Sequence, residues 1–150
     1  MSNQLTYQLT ATWESGRKGV AKVPGVDPKI RFSSPPEFKG DPGFWTPEHL
    51  LLAAVASCFV VTFYALAERA LVDFGRLELS VEGVLGALEG RLSVQQIILQ
   101  PTVTVFQTQD RDRAYGLLER TEHGCLIARA LKCPVLMEPL VQTAEEVLAQ

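Results

Sequence analysis

The chain has 150 residues, a length that suits one domain, and 47% of them are hydrophobic, enough to build a real core. With 14 Lys and Arg against 17 Asp and Glu, the net charge is −3, which excludes the basic excess needed to hold a nucleic-acid backbone or an anionic membrane surface. The start, Met-Ser-Asn-Gln-Leu-Thr-Tyr, lacks the basic and apolar stretches of a secretory signal, and the longest apolar run, Leu50 to Val61, falls short of the roughly 20 residues of a bilayer span, so a soluble cytoplasmic protein is expected.

Along the chain, Thr6 to Thr12 alternates in part and is rich in Thr, Tyr and Leu, which predicts a strand. Ser15 to Gly19 predicts a hairpin turn, Val20 to Val23 a return strand, Pro24 to Pro28 a second turn, and Lys29 to Phe32 a short third strand. Ser33 to Thr46 mixes prolines, glycines and charges with too few apolar repeats for an element, and predicts an ordered loop or lid. A helix start follows, with Thr46 as N-cap, Pro47 at the first helical position and Glu48 in the first turn against the positive end of the dipole. From there to about Val72 the residues are small or apolar, without Gly or Pro, and predict one long helix, apolar nearly all round until Glu68 and Arg69. Such a helix is buried, and in a domain of this size a second subunit most easily completes its cover.

After Asp73-Phe74-Gly75 the period changes to two. Leu77, Leu79 and Val81 alternate with polar residues, Leu92 to Val105 is rich in β-branched residues, and the two runs predict long antiparallel strands joined near Glu89-Gly90. Asp110 to Glu122 reads as a helix capped by Asp110, Cys125 to Leu131 as a second short helix after Gly124, Cys133 to Met137 as a last edge strand, and Thr143 to Ala149 as a terminal helix. Strands therefore cluster on both sides of one buried helix, an α+β arrangement in a single domain over 1–150.

The chain has three cysteines, an odd count at wide spacing and unlike a secreted disulfide scaffold. Cys58 lies in the apolar helix, where a free thiol serves either as a small core residue or as a reactive group. Cys125 follows His123-Gly124 at a helix N-terminus, where free N–H groups favour a thiolate and predict a lowered pKa. Cys133, beside Pro134, reads as packing. A zinc site from His123, Cys125 and Cys133 fits no common ligand spacing, and without a C-x-x-C there is no thioredoxin-type centre.

The stretch Thr46-Pro47-Glu48-His49-Leu50 through Ala56-Ser57-Cys58-Phe59 resembles the central-helix motif of the OsmC/Ohr family, a Pro-Glu-x-Leu start followed ten residues after the Glu by a reactive cysteine. His123-Gly124-Cys125-Leu126 through Leu131 resembles the family's second cysteine segment, and Gly16-Arg17-Lys18-Gly19 its arginine-bearing hairpin. The resemblance implies an intertwined homodimer of OsmC-like fold and a cysteine-based peroxidase acting on organic hydroperoxides. In it Cys58 would be the attacking thiol, Cys125 the resolving one, and Arg17, held by Glu48, the activating cation. A rise of about 15 Å over ten helical residues puts Glu48 out of direct reach of Cys58 on its own helix, so it acts across a dimer interface or through Arg17. The resemblance implies no metal or organic cofactor and an external dithiol reductant, of lipoyl or small-molecule type. A thiol-based redox sensor and a simple apolar-ligand binder are the alternatives. Phe32, Phe38, Phe44, Trp45, Phe59 and Phe63 are candidates to line an apolar substrate pocket, with the Ser33 to Thr46 loop at its entrance.

Overall fold

The computed structural model describes residues 3–150. The chain divides into two compact units, the first up to Leu51 and the second from Leu52 to Gln150.

In the first unit, strands β1 (Thr10–Ser15), β2 (Lys18–Val23) and β3 (Val26–Ser33) form an antiparallel meander in the order β1-β2-β3. The first strand begins four residues later than the sequence predicts, and the third extends back to Val26, taking in Pro28. As an edge strand β3 tolerates a residue without an N–H. Gly19 cannot carry a side chain, because a Cβ there would stand 2.6 Å from Phe32 Cζ and 2.7 Å from the Thr12 carbonyl oxygen. Phe32 thus packs against the β2 backbone at Gly19, and Arg17 is exposed at the hairpin tip. The loop from Ser33 to Thr46 is ordered, as expected. Its ends are tied by the Ser33 N–H to the Trp45 carbonyl at 2.9 Å and the Ser34 N–H to the Arg17 carbonyl at 3.1 Å, and Lys18 pairs with Asp41 at 2.9 Å.

Helix α1 (Pro47–Ala70) starts where the sequence predicts. The His49 N–H donates to Thr46 Oγ1 at 3.2 Å, while the Thr46 N–H donates to His49 Nδ1 at 3.2 Å. This is a reciprocal cap in which an imidazole stands where a capping box has Glu or Gln. The helix outlasts the apolar run that identified it, and over its 24 residues it has the length and composition to cross a membrane. In this fold, however, Val55, Phe59, Phe63 and Ala67, spaced at four residues, form one buried stripe of the second unit's core. Burial is confined to that stripe in the single chain: Val60, Val61 and Tyr64 on another face are 39%, 64% and 58% exposed.

The second unit continues with β4 (Phe74–Leu88) and β5 (Arg91–Val105), paired antiparallel along their length as predicted. Glu89 and Gly90, at φ 52° and 78°, make the two-residue turn whose backbone matches the strand twist. Ile97, Leu99, Val103 and Val105 are fully buried on one face of β5, the period-2 signature of a half-buried strand. Helix α2 (Arg111–Gly124) adds Ala114, Leu117 and Leu118 to the core, and α3 (Leu126–Arg129) follows after Cys125. Asp110 does not cap α2 with its side chain; it sits in helical backbone at the end of a preceding 3₁₀ turn, and its carboxylate meets Arg113 at 3.4 Å.

The predicted last strand is present as β6 (Val135–Met137) but is not the last. A further strand, β7 (Leu140–Thr143), precedes the terminal helix α4 (Ala144–Leu148), and both short strands lie parallel to β5. They border β5 over Ile97 to Leu99 and Thr102 to Val105 respectively, with Pro101, which has no N–H to offer, in the gap. The α+β class stands, with a mixed rather than wholly antiparallel sheet.

Candidate active site

Cys58, Thr62 and Leu66 follow one another at four-residue spacing along the flank of α1, beside its buried stripe. The Cys125 segment comes down on this flank. Cys125 is fully buried, and its thiol donates to the Val55 carbonyl at a sulfur-to-oxygen distance of 4.0 Å. Val55 is three residues before Cys58, so this contact brings Cys125 to the turn that carries Cys58. Each thiol affects the other's titration, and both are free.

The surroundings drive the two sulfurs apart electrostatically. Burial pushes the Cys58 thiol up, but the backbone N–H of Ile127, the Cys125 thiol, the Thr62 hydroxyl and the backbone N–H of Leu126 outweigh it, and its pKa lies below the ordinary thiol range. The Thr62 hydroxyl oxygen is 4.0 Å from Cys58 Sγ. Cys125 moves the other way. Burial raises it first, and the neighbouring Cys58 thiolate adds to the rise, against the backbone N–H groups of Ala128 and Ile127. The lowered pKa expected for Cys125 is therefore corrected: the α3 amides of Ala128 and Ile127 do favour its thiolate, but burial and the neighbouring Cys58 outweigh them. Thr62 went unnoticed in the sequence, although a hydroxyl four residues from a helical cysteine is a readable sign.

Arg17 and Glu48 belong to the first unit. Arg17 is exposed at the β1–β2 turn. Glu48 occupies the first turn of α1, where its Oε2 is buried without a hydrogen-bond partner, and among the described residues no ion pair joins it to Arg17. Of the aromatics expected to line a pocket, Phe59 and Phe63 are fully buried core residues, with Phe63 edge-on to Phe74 at 5.2 Å. Phe44 lies beneath two cations, Lys18 Nζ at 5.8 Å and Arg31 Cζ at 5.3 Å from its centroid. Trp45 and Phe38 are 52% and 40% exposed. Cys133 is half-buried at the approach to β6. No cluster of His, Cys, Asp and Glu with the makings of a metal site occurs among the described residues.

The chain is 27% identical over 129 residues to the uncharacterised protein YmaD of Bacillus subtilis, a match spanning 84% of this chain and 86% of that one. Among solved structures, an OsmC-like protein of unknown function from Vibrio cholerae superposes with a TM-score of 0.82 at 20% identity, covering 91% of this chain and all (100%) of the other. An organic hydroperoxide resistance protein from Elizabethkingia anophelis superposes at 0.74 with 19% identity, covering 95% and 99%. At these identities the structural likeness establishes the fold. The family model for OsmC-like proteins matches residues 40–139, a span that holds the α1 motif, Cys58, Cys125 and strands β4 to β6, and on that match the chain belongs to the OsmC-like protein family.

Proposed function

We propose that this protein is a cysteine-based peroxidase that reduces organic hydroperoxides, with Cys58 as nucleophile and Cys125 as resolving thiol. The observation that carries the reading is the seating of Cys125 on the Val55 carbonyl, one turn from Cys58, which pairs two free thiols of opposite character, Cys58 held below the ordinary range and Cys125 above it. A thiolate is the attacking species, and a neutral neighbour waits to resolve its product. Similarity to an organic hydroperoxide resistance protein supports the choice of substrate.

In the proposed cycle the Cys58 thiolate bonds to one oxygen of the O–O group. That bond breaks, the alkoxide leaves and is protonated to the alcohol, and Cys58 becomes a sulfenic acid. The Cys125 sulfur then attacks the Cys58 sulfur, water departs, and a disulfide forms. An external dithiol restores both thiols; a lipoyl-type reductant is one such dithiol. Arg17 supplies the cation beside the reacting sulfur, and Glu48, whose buried Oε2 lacks a donor, receives the guanidinium in a two-pronged contact. A homodimer completes the molecule, because the apolar outer face of α1 needs a cover and a second copy placed by two-fold symmetry supplies one. The protein acts in the cytoplasm, where thiols stay reduced between turnovers.

The test is consumption of cumene hydroperoxide in the presence of excess dithiol. The parent protein consumes many equivalents and Cys58→Ser none, while Cys125→Ser forms no intramolecular disulfide. Consumption that stops after one equivalent would assign a sensor instead, and sustained turnover by Cys58→Ser would overturn the catalytic role of Cys58.

A further inference from the structure

An open, shallow cavity of about 560 Å³ lies between α1 and the end of α2, lined by Thr62, Leu66, Glu119, Arg120, His123 and Gly124. Its volume is within the range of small-molecule sites. Thr62 belongs both to this wall and to the surroundings of Cys58, with its hydroxyl 4.0 Å from Sγ, so a single side chain separates the cavity from that sulfur. Cys125, one residue beyond Gly124, is fully buried, whereas Cys58 is only partly covered. We propose that this cavity receives the external dithiol, and that the dithiol attacks Sγ of Cys58 in the Cys58–Cys125 disulfide. The proposal rests on the peroxidase reading and assigns its reductive half.

Two considerations compete. Exchange is faster when the departing sulfur is the more acidic, which favours attack on Cys125 and departure of Cys58. Exchange also requires the attacking thiolate to reach the sulfur in line with the bond it breaks, and only Cys58 offers an approach. A buried sulfur reacts at a negligible rate whatever its leaving partner, so access decides.

The cavity's chemistry suits a flexible apolar dithiol, with Leu66 and the Thr62 methyl along one side and Arg120 to attract a thiolate. His123 Nδ1 lies 2.8 Å from the Glu119 carbonyl oxygen. A carbonyl only accepts, so Nδ1 carries the hydrogen and Nε2 is left to take a proton from the incoming thiol. The first thiolate bonds to Cys58, the protein disulfide breaks, and its electron pair goes to Cys125, which takes up the proton. The second thiol of the reductant then attacks the first, closing the reductant's own disulfide and releasing Cys58 as thiolate with a proton to solvent. Two electrons pass from dithiol to protein.

The experiment oxidises a Cys133→Ser protein with one equivalent of cumene hydroperoxide, confirms the disulfide by peptide mapping, adds the monothiol 2-nitro-5-thiobenzoate, quenches in acid and locates the mixed disulfide. At least tenfold more adduct on Cys58 than on Cys125 is expected; near-equal or reversed amounts overturn the proposal. Gly124 is outside the left-handed region, and a Cβ there would meet Thr62 Cγ2 at an ordinary 3.9 Å, so a longer side chain narrows the cavity without straining the backbone. Gly124→Leu should lower the rate of reduction by dithiothreitol at least fivefold more than the rate of oxidation by peroxide, with Gly124→Ala in between. Equal effects on both rates, or none on reduction, overturn the docking site. If peroxide forms no disulfide at all, the peroxidase reading fails and this inference falls with it.

Discussion

At the scale of single residues, Cys58 and Cys125 differ in acidity because they share one set of donors unequally. The N–H groups of Ile127 and Leu126 serve Cys58, and Cys125 adds its own thiol to them while sitting in the core. Site-resolved alkylation of the reduced protein by iodoacetamide should therefore give a Cys58 profile with its half-point below the ordinary thiol value of about 8.5, and a Cys125 profile above it. Cys125→Ala should move the Cys58 half-point upward. The stability consequences have opposite signs. Cys58, lowered on folding, contributes fully above the unfolded thiol range and loses that contribution as pH falls through its folded value. Cys125, raised on folding, contributes fully below that range and loses it as pH rises through its own value. Both residues were legible from their motifs. Their polarity was not, because a sequence shows that Cys125 begins a helix but not which sulfur the helix's amides face, nor how much core closes over it.

At the scale of elements, α1 was legible at its N-terminus because capping is local chemistry. Thr46, 6% exposed, accepts from the third helical residue and receives an imidazole in return. Thr46→Ala should cost about 1 kcal/mol, read as a lowered midpoint in urea unfolding with an unchanged slope, while Thr46→Ser should recover most of the loss. The β4–β5 hairpin was equally readable, from period two on both sides of Glu89-Gly90. β7 was missed for a physical reason. Four residues after Pro139 carry too short a pattern to register, and what makes them a strand is parallel pairing with Thr102 to Val105, some forty residues earlier in the chain. Asp110 shows the converse: a residue type that favours caps lies in helical backbone, where its carboxylate faces Arg113 instead.

At the scale of the molecule, one long helix buries a single stripe and leaves Val60, Val61 and Tyr64 to solvent in the isolated chain. The proposed homodimer covers them, so Val61→Glu should raise the dimer dissociation constant at least tenfold in sedimentation equilibrium, by placing a charge in an apolar contact. Sedimentation of the parent as a monomer at all concentrations would remove the dimer from the proposal. The pairing of the sheet bears on a different property, the protein's behaviour among other unfolded chains. β5 meets β4 on one side along its length, and on the other two short pieces separated at Pro101. From Ile97 to Val105 its outer edge is thus bordered by strands and interrupted by a residue that cannot donate, so a foreign strand finds no continuous template over that half. A chain ending before Leu140 would bare the backbone of Thr102 to Val105, whose Val103 and Val105 side chains lie in the core. It should form high-molecular-weight aggregates, detected by light scattering, at concentrations where the full chain stays clear. The C-terminal residues thereby act as a guard on the sheet and contribute to solubility as well as to the fold.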